Sequence, residues 1–169
     1  MNDGGVEITA SDARSEDEIH LLPVDLDRWA DLARSALRSE QVVGVLGLTL
    51  VDRAEIAELN AEHMGAVGPT DVLSFPIDDP DEAVAGVPTL LGDVVLSPAV
   101  AHDQFAAHAG SFDDEIALLV VHGVLHVLGH DHADEAETAR MRRRERELLE
   151  AHHWGQAAPA GFRHDHTDS

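Results

Sequence analysis

The stretch HGVLHVLGHDH at residues 122–132 restricts the possible folds of this chain more than any other feature. On a helix, His122 and His126 are four residues apart and share one face, with Cβ atoms roughly 5–6 Å apart. Gly129 predicts the end of that helix, because a residue without Cβ can adopt the left-handed turn that folds the chain back. The spacing therefore predicts that His122, His126 and His132 bind one metal ion.

Zinc is the metal that this set of ligands favours. The chain contains no cysteine, so thiolate ligands and a disulfide framework are both excluded. Three neutral imidazoles leave the fourth position of a tetrahedral zinc ion open, which is typical of catalytic zinc rather than structural zinc. A lone histidine on an apolar helix is usually a core residue, but three at this spacing predict one Zn2+ per chain and a metal-dependent hydrolase.

Hydrophobic periodicity predicts an α+β fold. Apolar and β-branched runs predict four strands, at residues 6–9, 42–51, 72–75 and 90–96. Helical spacing and capping residues predict helices at residues 25–39, 54–60, 98–105, 113–128 and 134–151. This order indicates a small sheet covered by about five helices, with the zinc site on a helix of the C-terminal half and in the turn after it.

The length of 169 residues, of which 44% are hydrophobic, fits one domain with one core. We place a single zinc-hydrolase domain at residues 1–155, with residues 1–5 disordered, and a disordered tail at residues 156–169. Most of the first 20 residues are also expected to form tail or loop. They are polar and acidic, without an apolar export signal, which predicts an unexported, cytoplasmic protein with no membrane partner.

The chain is strongly acidic, with 33 acidic residues against 11 basic residues and a formal charge of -22. An excess of this size affects solubility and long-range steering rather than the fold. Nothing in the composition indicates binding to DNA or to a nucleotide cofactor. The basic run MRRRERE at residues 141–147 favours a solvated helix face, with an RNA contact as the alternative.

The histidine spacing is also that of the metzincin peptidases, H-x-x-x-H-x-x-G-x-x-H. In those enzymes a glutamate follows the first histidine and acts as the general base. Gly123 is at that position here. A zinc peptidase or amidase is therefore an alternative that lacks its base.

Three segments together resemble the YbeY family of bacterial zinc-dependent endoribonucleases. They occur in the family's order and are PTDVLSFP at residues 69–76, LGDVVLSP at residues 91–98 and HGVLHVLGHDH at residues 122–132. The resemblance covers roughly residues 42–150. It implies an α+β fold around a small mixed sheet, here four-stranded, with the family's zinc histidines at His122, His126 and His132.

The same resemblance implies a function. It predicts a single-strand-specific endoribonuclease of the cytoplasm that acts in small-subunit ribosomal RNA maturation and ribosome quality control. Its partners would be ribosomal RNA and the ribosome or assembly factors. A second alternative is a ribosome-assembly factor in which zinc is purely structural, and a fourth protein ligand on the zinc would favour it.

The sequence departs from the family at one place. Many members have an aromatic-arginine pair shortly after the asparagine that matches Asn60, and the arginine is expected to bind the scissile phosphate. His63 and Met64 occupy those positions here. The sequence therefore identifies neither a phosphate-binding residue nor a general base, and we assign no catalytic or substrate-binding residue.

The motif PTDVLSFP allows two interpretations. Thr70, Asp71 and Ser74 can simply stabilise the end of a strand. Alternatively, the strand borders the zinc cleft, where Thr70 and Ser74 bind a phosphate or ribose. Phe75 is favoured as a core residue over a base-stacking surface, and both roles stay open for Asp93.

Overall fold

The computed structural model describes residues 5–131 and 133–163 of the chain. The described residues form four strands, β1 (Val6–Asp12), β2 (Gly44–Leu50), β3 (Val72–Pro76) and β4 (Leu90–Leu96). They also form six α-helices, α1 (Glu16–Leu21), α2 (Leu26–Ser39), α3 (Arg53–Met64), α4 (Pro98–Gln104), α5 (Phe112–Val127) and α6 (Glu135–Leu149). Short 3-10 turns lie at Pro80–Glu82 and Phe105–Ala107, and a π-helical turn lies at Glu150–Trp154. No helix in this part of the chain is long and apolar enough to cross a lipid bilayer.

The four strands form one mixed sheet in the order β1-β2-β4-β3. β1 and β4 both run parallel to β2, whereas β3 is antiparallel to β4, with Val72 opposite Leu96 and Pro76 opposite Gly92. β1 and β3 are therefore the edge strands. The predicted α+β fold with a small mixed four-stranded sheet is confirmed.

Strand β2 corresponds to the strand predicted at residues 42–51, but it begins two residues later and ends one residue earlier. Leu46, Leu48 and Leu50 are buried on the face that packs against the main helical core. Gly47 lies beside Asp93 of β4, and a Cβ atom at residue 47 would collide with the Asp93 carboxylate. This close approach of two strands explains a glycine inside a buried strand.

Helix α5 is the most deeply buried helix of the described chain. Ser111 caps its N-terminus by accepting a hydrogen bond from the N–H of Asp114 at 3.1 Å. Residues 116–121 are all buried, because α5 packs against the sheet, α2 and α6. Gly129 follows the helix with a φ of 100°, a left-handed conformation that favours glycine. The predicted helix and its glycine stop are confirmed.

The N-terminal segment contains more secondary structure than the sequence predicted. β1 extends to Asp12, and α1 lies where tail or loop was expected. The buried Arg14 donates to both carboxylate oxygens of Asp12 and to the carbonyl oxygen of Leu22. No residue of α1 is buried, so this helix lacks the apolar periodicity that identifies helices in a sequence.

The segment after α6 packs back on the domain. Trp154 lies at the end of the π-helical turn, and its Nε1 donates to Asp114 of α5 at 2.9 Å. Its ring contacts Phe162 edge-on, with centroids 4.9 Å apart. Phe162 is buried and belongs to the main apolar core.

Packing therefore continues beyond residue 155, the predicted end of the domain. The sequence predicted a disordered tail at residues 156–169, and Phe162 lies within that segment. Residues 1–4 and 164–169 are outside the described residues. Disorder at either terminus and the exact domain limit stay predictions.

Candidate metal centre

Helix α5 holds His122 and His126 as neighbours, as their spacing predicted. The ring centroids are 4.6 Å apart, and the ring planes make an angle of 75°. His122 is 4% exposed, and the Nε2 atom of His126 is also buried. Their role as metal ligands stays a prediction.

The buried carboxylate of Glu145 contacts His122 from helix α6. Nδ1 of His122 lies 2.5 Å from Oε2 of Glu145, and Glu145 is only 2% exposed. An ionised carboxylate can only accept, so with Glu145 ionised the hydrogen of this pair is on Nδ1. Nε2 is then the nitrogen of His122 that can bind a metal ion.

Sequence reasoning missed Glu145, because it belongs to a run predicted as a solvated helix face. The spacing of α6 nevertheless contained a signal. Met141, Glu145, Leu148 and Leu149 are all buried on one side of the helix. A glutamate at a position of the apolar stripe indicates a buried charge that requires a partner.

Two backbone hydrogen bonds close the turn after α5. The N–H of Gly129 donates to the carbonyl of His126, and the N–H of His130 donates to that of Leu125, both at 3.0 Å. His132, the predicted third ligand, lies outside the described residues. Within residues 5–131 and 133–163, no group of three histidine or acidic side chains could hold a metal ion.

The described part of the site fits the chemistry of zinc. Imidazole nitrogen is a preferred zinc ligand, and two imidazoles lie side by side here. Histidine ligands almost always donate their second ring nitrogen to a carboxylate or carbonyl, as His122 does to Glu145. One further ligand from the following turn would complete the predicted set.

The packing of α5 on β4 explains why residue 123 is glycine and not the glutamate of a zinc peptidase. A Cβ atom at residue 123 would lie 2.6 Å from Cγ1 of Val94 on β4, closer than real side chains approach. Helix α5 therefore needs glycine here to pack on the sheet. A glutamate would not fit between them, which weighs against the peptidase and amidase alternative.

Strand β3 is attached to the helical layer beside the histidine pair. The Ser74 hydroxyl donates to the carbonyl oxygen of Gly123 at 3.1 Å. Asp71 is buried and accepts from Nε2 of Gln104 at 2.7 Å and from a backbone N–H at 2.8 Å. These contacts support the structural interpretation of Asp71. Phosphate or ribose binding by Thr70 and Ser74 stays a prediction.

The C-terminal end of α3 lies near the same edge of the sheet. Nδ2 of Asn60 donates to the carbonyl oxygen of Gly68 at 2.9 Å and so holds the loop before β3. The ring of His63 contacts Phe75 edge-on at 5.1 Å. Phe75 packs partly against the smaller apolar cluster, whereas Met64, the last helical residue, is 52% exposed.

The arginine run of α6 takes part in surface ion pairs. Arg144 donates to Glu40 at 3.0 Å and to Glu147 at 3.3 Å. The hydrogen bond to Glu40 raises the pKa of the Arg144 guanidinium. The remaining arginines of the run are exposed, namely Arg142, Arg143 and Arg146. A solvated face fits these contacts, and an RNA contact stays a prediction.

A cavity of about 300 Å³ opens beside the turn after α5. It is lined by Leu128, Gly129, His130, Asp131, Glu137 and Arg140. Nε2 of His130 lies 3.7 Å from Oε1 of Glu40. The turn that leads to His132 is thus bordered by polar groups of both charge signs.

Known proteins resemble the chain over most of its length. The profile of the family described as Endoribonuclease YbeY matches residues 13–153. A protein named Endoribonuclease YbeY from Acidothermus cellulolyticus is 46% identical over 144 residues, which cover 76% of this chain and 85% of that protein. A protein of the same name from Mycobacterium tuberculosis is 34% identical over 173 residues, which cover 99% and 88%.

A solved structure from Thermotoga maritima shares the fold. The match covers 90% of this chain and 98% of that chain, with a TM-score of 0.52 and 21% sequence identity. At this identity the likeness concerns the fold alone. The family profile and the sequence relatives confirm the resemblance noted in the sequence, and this chain belongs to the Endoribonuclease YbeY family.

Proposed function

We propose that this chain is a zinc-dependent endoribonuclease that cleaves single-stranded RNA in small-subunit ribosomal RNA maturation and ribosome quality control. The observation that supports this most is the adjacent rings of His122 and His126 on α5, with His122 buried and bonded to Glu145. Buried imidazoles with a carboxylate partner are typical of metal sites. Membership of the Endoribonuclease YbeY family supports the nuclease class.

One zinc ion would be held by His122, His126 and His132 through neutral imidazole nitrogens. When bound, zinc supplies Lewis acidity that polarises a phosphate oxygen or activates a water molecule. Three protein ligands leave a position open for substrate or water, as catalytic zinc sites do.

The residues of the chain prepare this site in three ways. The carboxylate of Glu145 contacts Nδ1 of His122 and, when ionised, holds a hydrogen there. Burial of His122, which is 4% exposed, and of the Nε2 atom of His126 keeps bulk water from these atoms. Exclusion of water strengthens electrostatic interactions with a phosphate. Ser74 keeps the edge strand β3 against α5, so the edge of the sheet lies next to the site.

Partners and location follow from the same proposal. Ribosomal RNA would be the substrate, and the ribosome or assembly factors of the cytoplasm would be the partners. At a formal charge of -22 the chain repels RNA at long range. Binding would therefore depend on short-range contacts at the site.

Removal of one ligand tests the zinc site and the activity together. Wild-type protein should contain about one zinc per chain, and His126→Ala should lose it, because two imidazoles cannot complete the site. Cleavage of an unstructured RNA should fall at least ~100-fold, since loss of even an outer-shell partner can cost that much. Elemental analysis and a gel-based cleavage assay measure the two effects.

The matched control is His20→Ala, which removes an exposed histidine from α1 and should change neither quantity. Absence of zinc from the wild type, or full zinc content in His126→Ala, would refute the zinc site. Zinc with four protein ligands and no RNA cleavage would favour the ribosome-assembly factor instead.

A further inference from the structure

We propose that Glu145 is a positioning residue that fixes the ring orientation and the tautomer of His122 for metal binding. This inference rests on the proposed zinc site and extends it to a residue on a second helix. His122 is on α5, and Glu145 approaches it from α6, 23 residues further along the chain. The argument depends on the contact, on its burial and on the surroundings of the glutamate.

The contact selects one tautomer of the imidazole. Oε2 of Glu145 lies 2.5 Å from Nδ1 of His122, shorter than the roughly 2.7–2.9 Å typical of charge-assisted N–H···O hydrogen bonds. With the hydrogen on Nδ1, the lone pair of the neutral ring is on Nε2, the atom that can coordinate zinc. The carboxylate also increases the basicity of the ring and hence its strength as a ligand.

Burial indicates that stability alone does not account for this glutamate. The side chains of His122 and Glu145 are only 6% and 2% exposed. Glu145 occupies the apolar stripe of α6, between Met141 and Leu148. Burying a carboxylate costs free energy, and an apolar pair at the positions of His122 and Glu145 would often be as stable or more stable.

The neighbouring charges on α6 behave differently. Arg144 bonds to Glu147, which is 55% exposed, and to Glu40, which is 15% exposed. Arg146 lies over the ring of Phe162, with its Cζ 6.0 Å from the ring centroid. Glu145 is directed inward at His122, so α6 presents ordinary surface charges on one side and the histidine partner on the other.

Two substitutions at residue 145 and one control separate positioning from structural support. Glu145→Leu removes the acceptor, and Glu145→Gln keeps an acceptor but removes the charge. Zinc affinity, measured by chelator competition on the full chain, should fall about 10- to 100-fold for Glu145→Leu, and less for Glu145→Gln. Glu147→Gln changes an exposed carboxylate of the same helix and should leave the affinity unchanged.

Thermal unfolding of the zinc-free proteins distinguishes the two roles. A positioning role predicts that the increase in Tm on adding zinc is smaller in Glu145→Leu than in the wild type, whatever the Tm of the zinc-free variant, which loses one partner of a buried pair. A lower Tm of the zinc-free variant combined with wild-type zinc affinity would overturn the inference and show a structural role.

Cobalt substitution in Glu145→Gln provides a second measurement, which does not require Glu145→Leu to fold. The visible bands of bound Co2+ report the geometry of its ligands. They should shift in Glu145→Gln relative to wild type and to Glu147→Gln. Identical bands and identical zinc affinity in Glu145→Gln would overturn the inference. Wild-type protein that binds no zinc would refute the proposed function as well, so the two failures are distinguishable.

Discussion

Two buried glutamates lie near the two ends of helix α5, and they form hydrogen bonds with different groups. Near the N-terminus, Glu115 of α5 itself is fully buried. Its carboxylate accepts from groups of the preceding segment, namely Nε2 of Gln104 at 2.9 Å, Nδ1 of His108 at 3.3 Å and the N–H of Ala109 at 3.2 Å. Near the C-terminus, Glu145 arrives from α6 and bonds to His122 at 2.5 Å.

The partners, rather than the burial, separate the roles of these glutamates. Glu115 bonds to a backbone N–H, to an amide and to the ring of His108, all from the segment just before α5, and a negative charge is also favourable at a helix N-terminus. Glu115 therefore fastens segment 104–109 to α5. Glu145 bonds to His122, whose ring lies beside that of His126, the pair proposed to bind zinc. One end of α5 should thus respond to mutation in stability, and the other in zinc binding and catalysis.

The largest effect on stability is expected for Glu115→Ala. This change leaves a backbone N–H and an amide without their buried acceptor. We expect the free energy of unfolding to fall by about 3 kcal/mol, because breaking a buried charged network leaves its partners unsatisfied. Zinc affinity of the folded variant should match the wild type. Chemical denaturation and chelator competition measure the two quantities.

Asp113→Ala is the matched control for this prediction. Asp113 is a carboxylate in the same helical turn, but it is 58% exposed and pairs with Arg28 at the surface. Its loss should cost less than about 1 kcal/mol. Equal losses for Asp113→Ala and Glu115→Ala, or weaker zinc binding in Glu115→Ala, would contradict the division between the two ends of α5.

The buried Arg14 provides a pH test of the same rule, since its hydrogen bonds also go to groups that only stabilise the fold. Arg14 donates to Asp12 and so lowers the pKa of that carboxyl group. A carboxyl with a lowered folded pKa stabilises the protein above its unfolded pKa of about 4, and this contribution disappears as the pH falls through the folded pKa. Asp12→Asn should therefore lose about 1.5 kcal/mol at pH 7.

Unfolding measured across a pH series checks this prediction. The stability difference between wild type and Asp12→Asn should shrink as the pH falls below about 4. Zinc affinity should not change at neutral pH. A difference that is independent of pH would show that the Asp12 charge is not what stabilises Arg14.

Local patterns in the sequence predict most of the fold. The strand at residues 90–96 and the cap formed by Ser97 agree with the structure, because alternation and capping are local properties. Helix α1 was missed because it has no buried face. The sequence places Phe162 in a tail, because its contact with Trp154 depends on how the π-helical turn packs on α5.

The candidate site likewise contains residues that local spacing predicts and one residue that depends on tertiary packing. His122 and His126 were predictable because four residues on one helix define their proximity. Glu145 was not predicted, since its contact with His122 depends on how α6 packs on α5. Met64 occupies the position where the family resemblance leads us to expect a phosphate-binding arginine. Neither the sequence nor the packing of the described residues identifies another residue for that role.

Met64→Arg is expected to give the smallest effect, and it tests the region near the histidine pair. Met64 ends α3 and is 52% exposed, so arginine should fit without loss of stability. Its neighbour His63 contacts Phe75 of β3, and β3 is bonded to α5 through Ser74. A cation here should stabilise charge that develops on the phosphate and raise kcat/KM on single-stranded RNA by about three- to tenfold, with zinc content unchanged. Val67→Arg adds the same charge at a fully exposed loop residue and should have little effect. An equal rise in both variants would indicate general attraction of RNA to a less acidic protein, and an unchanged rate in Met64→Arg would mean that another group binds the phosphate.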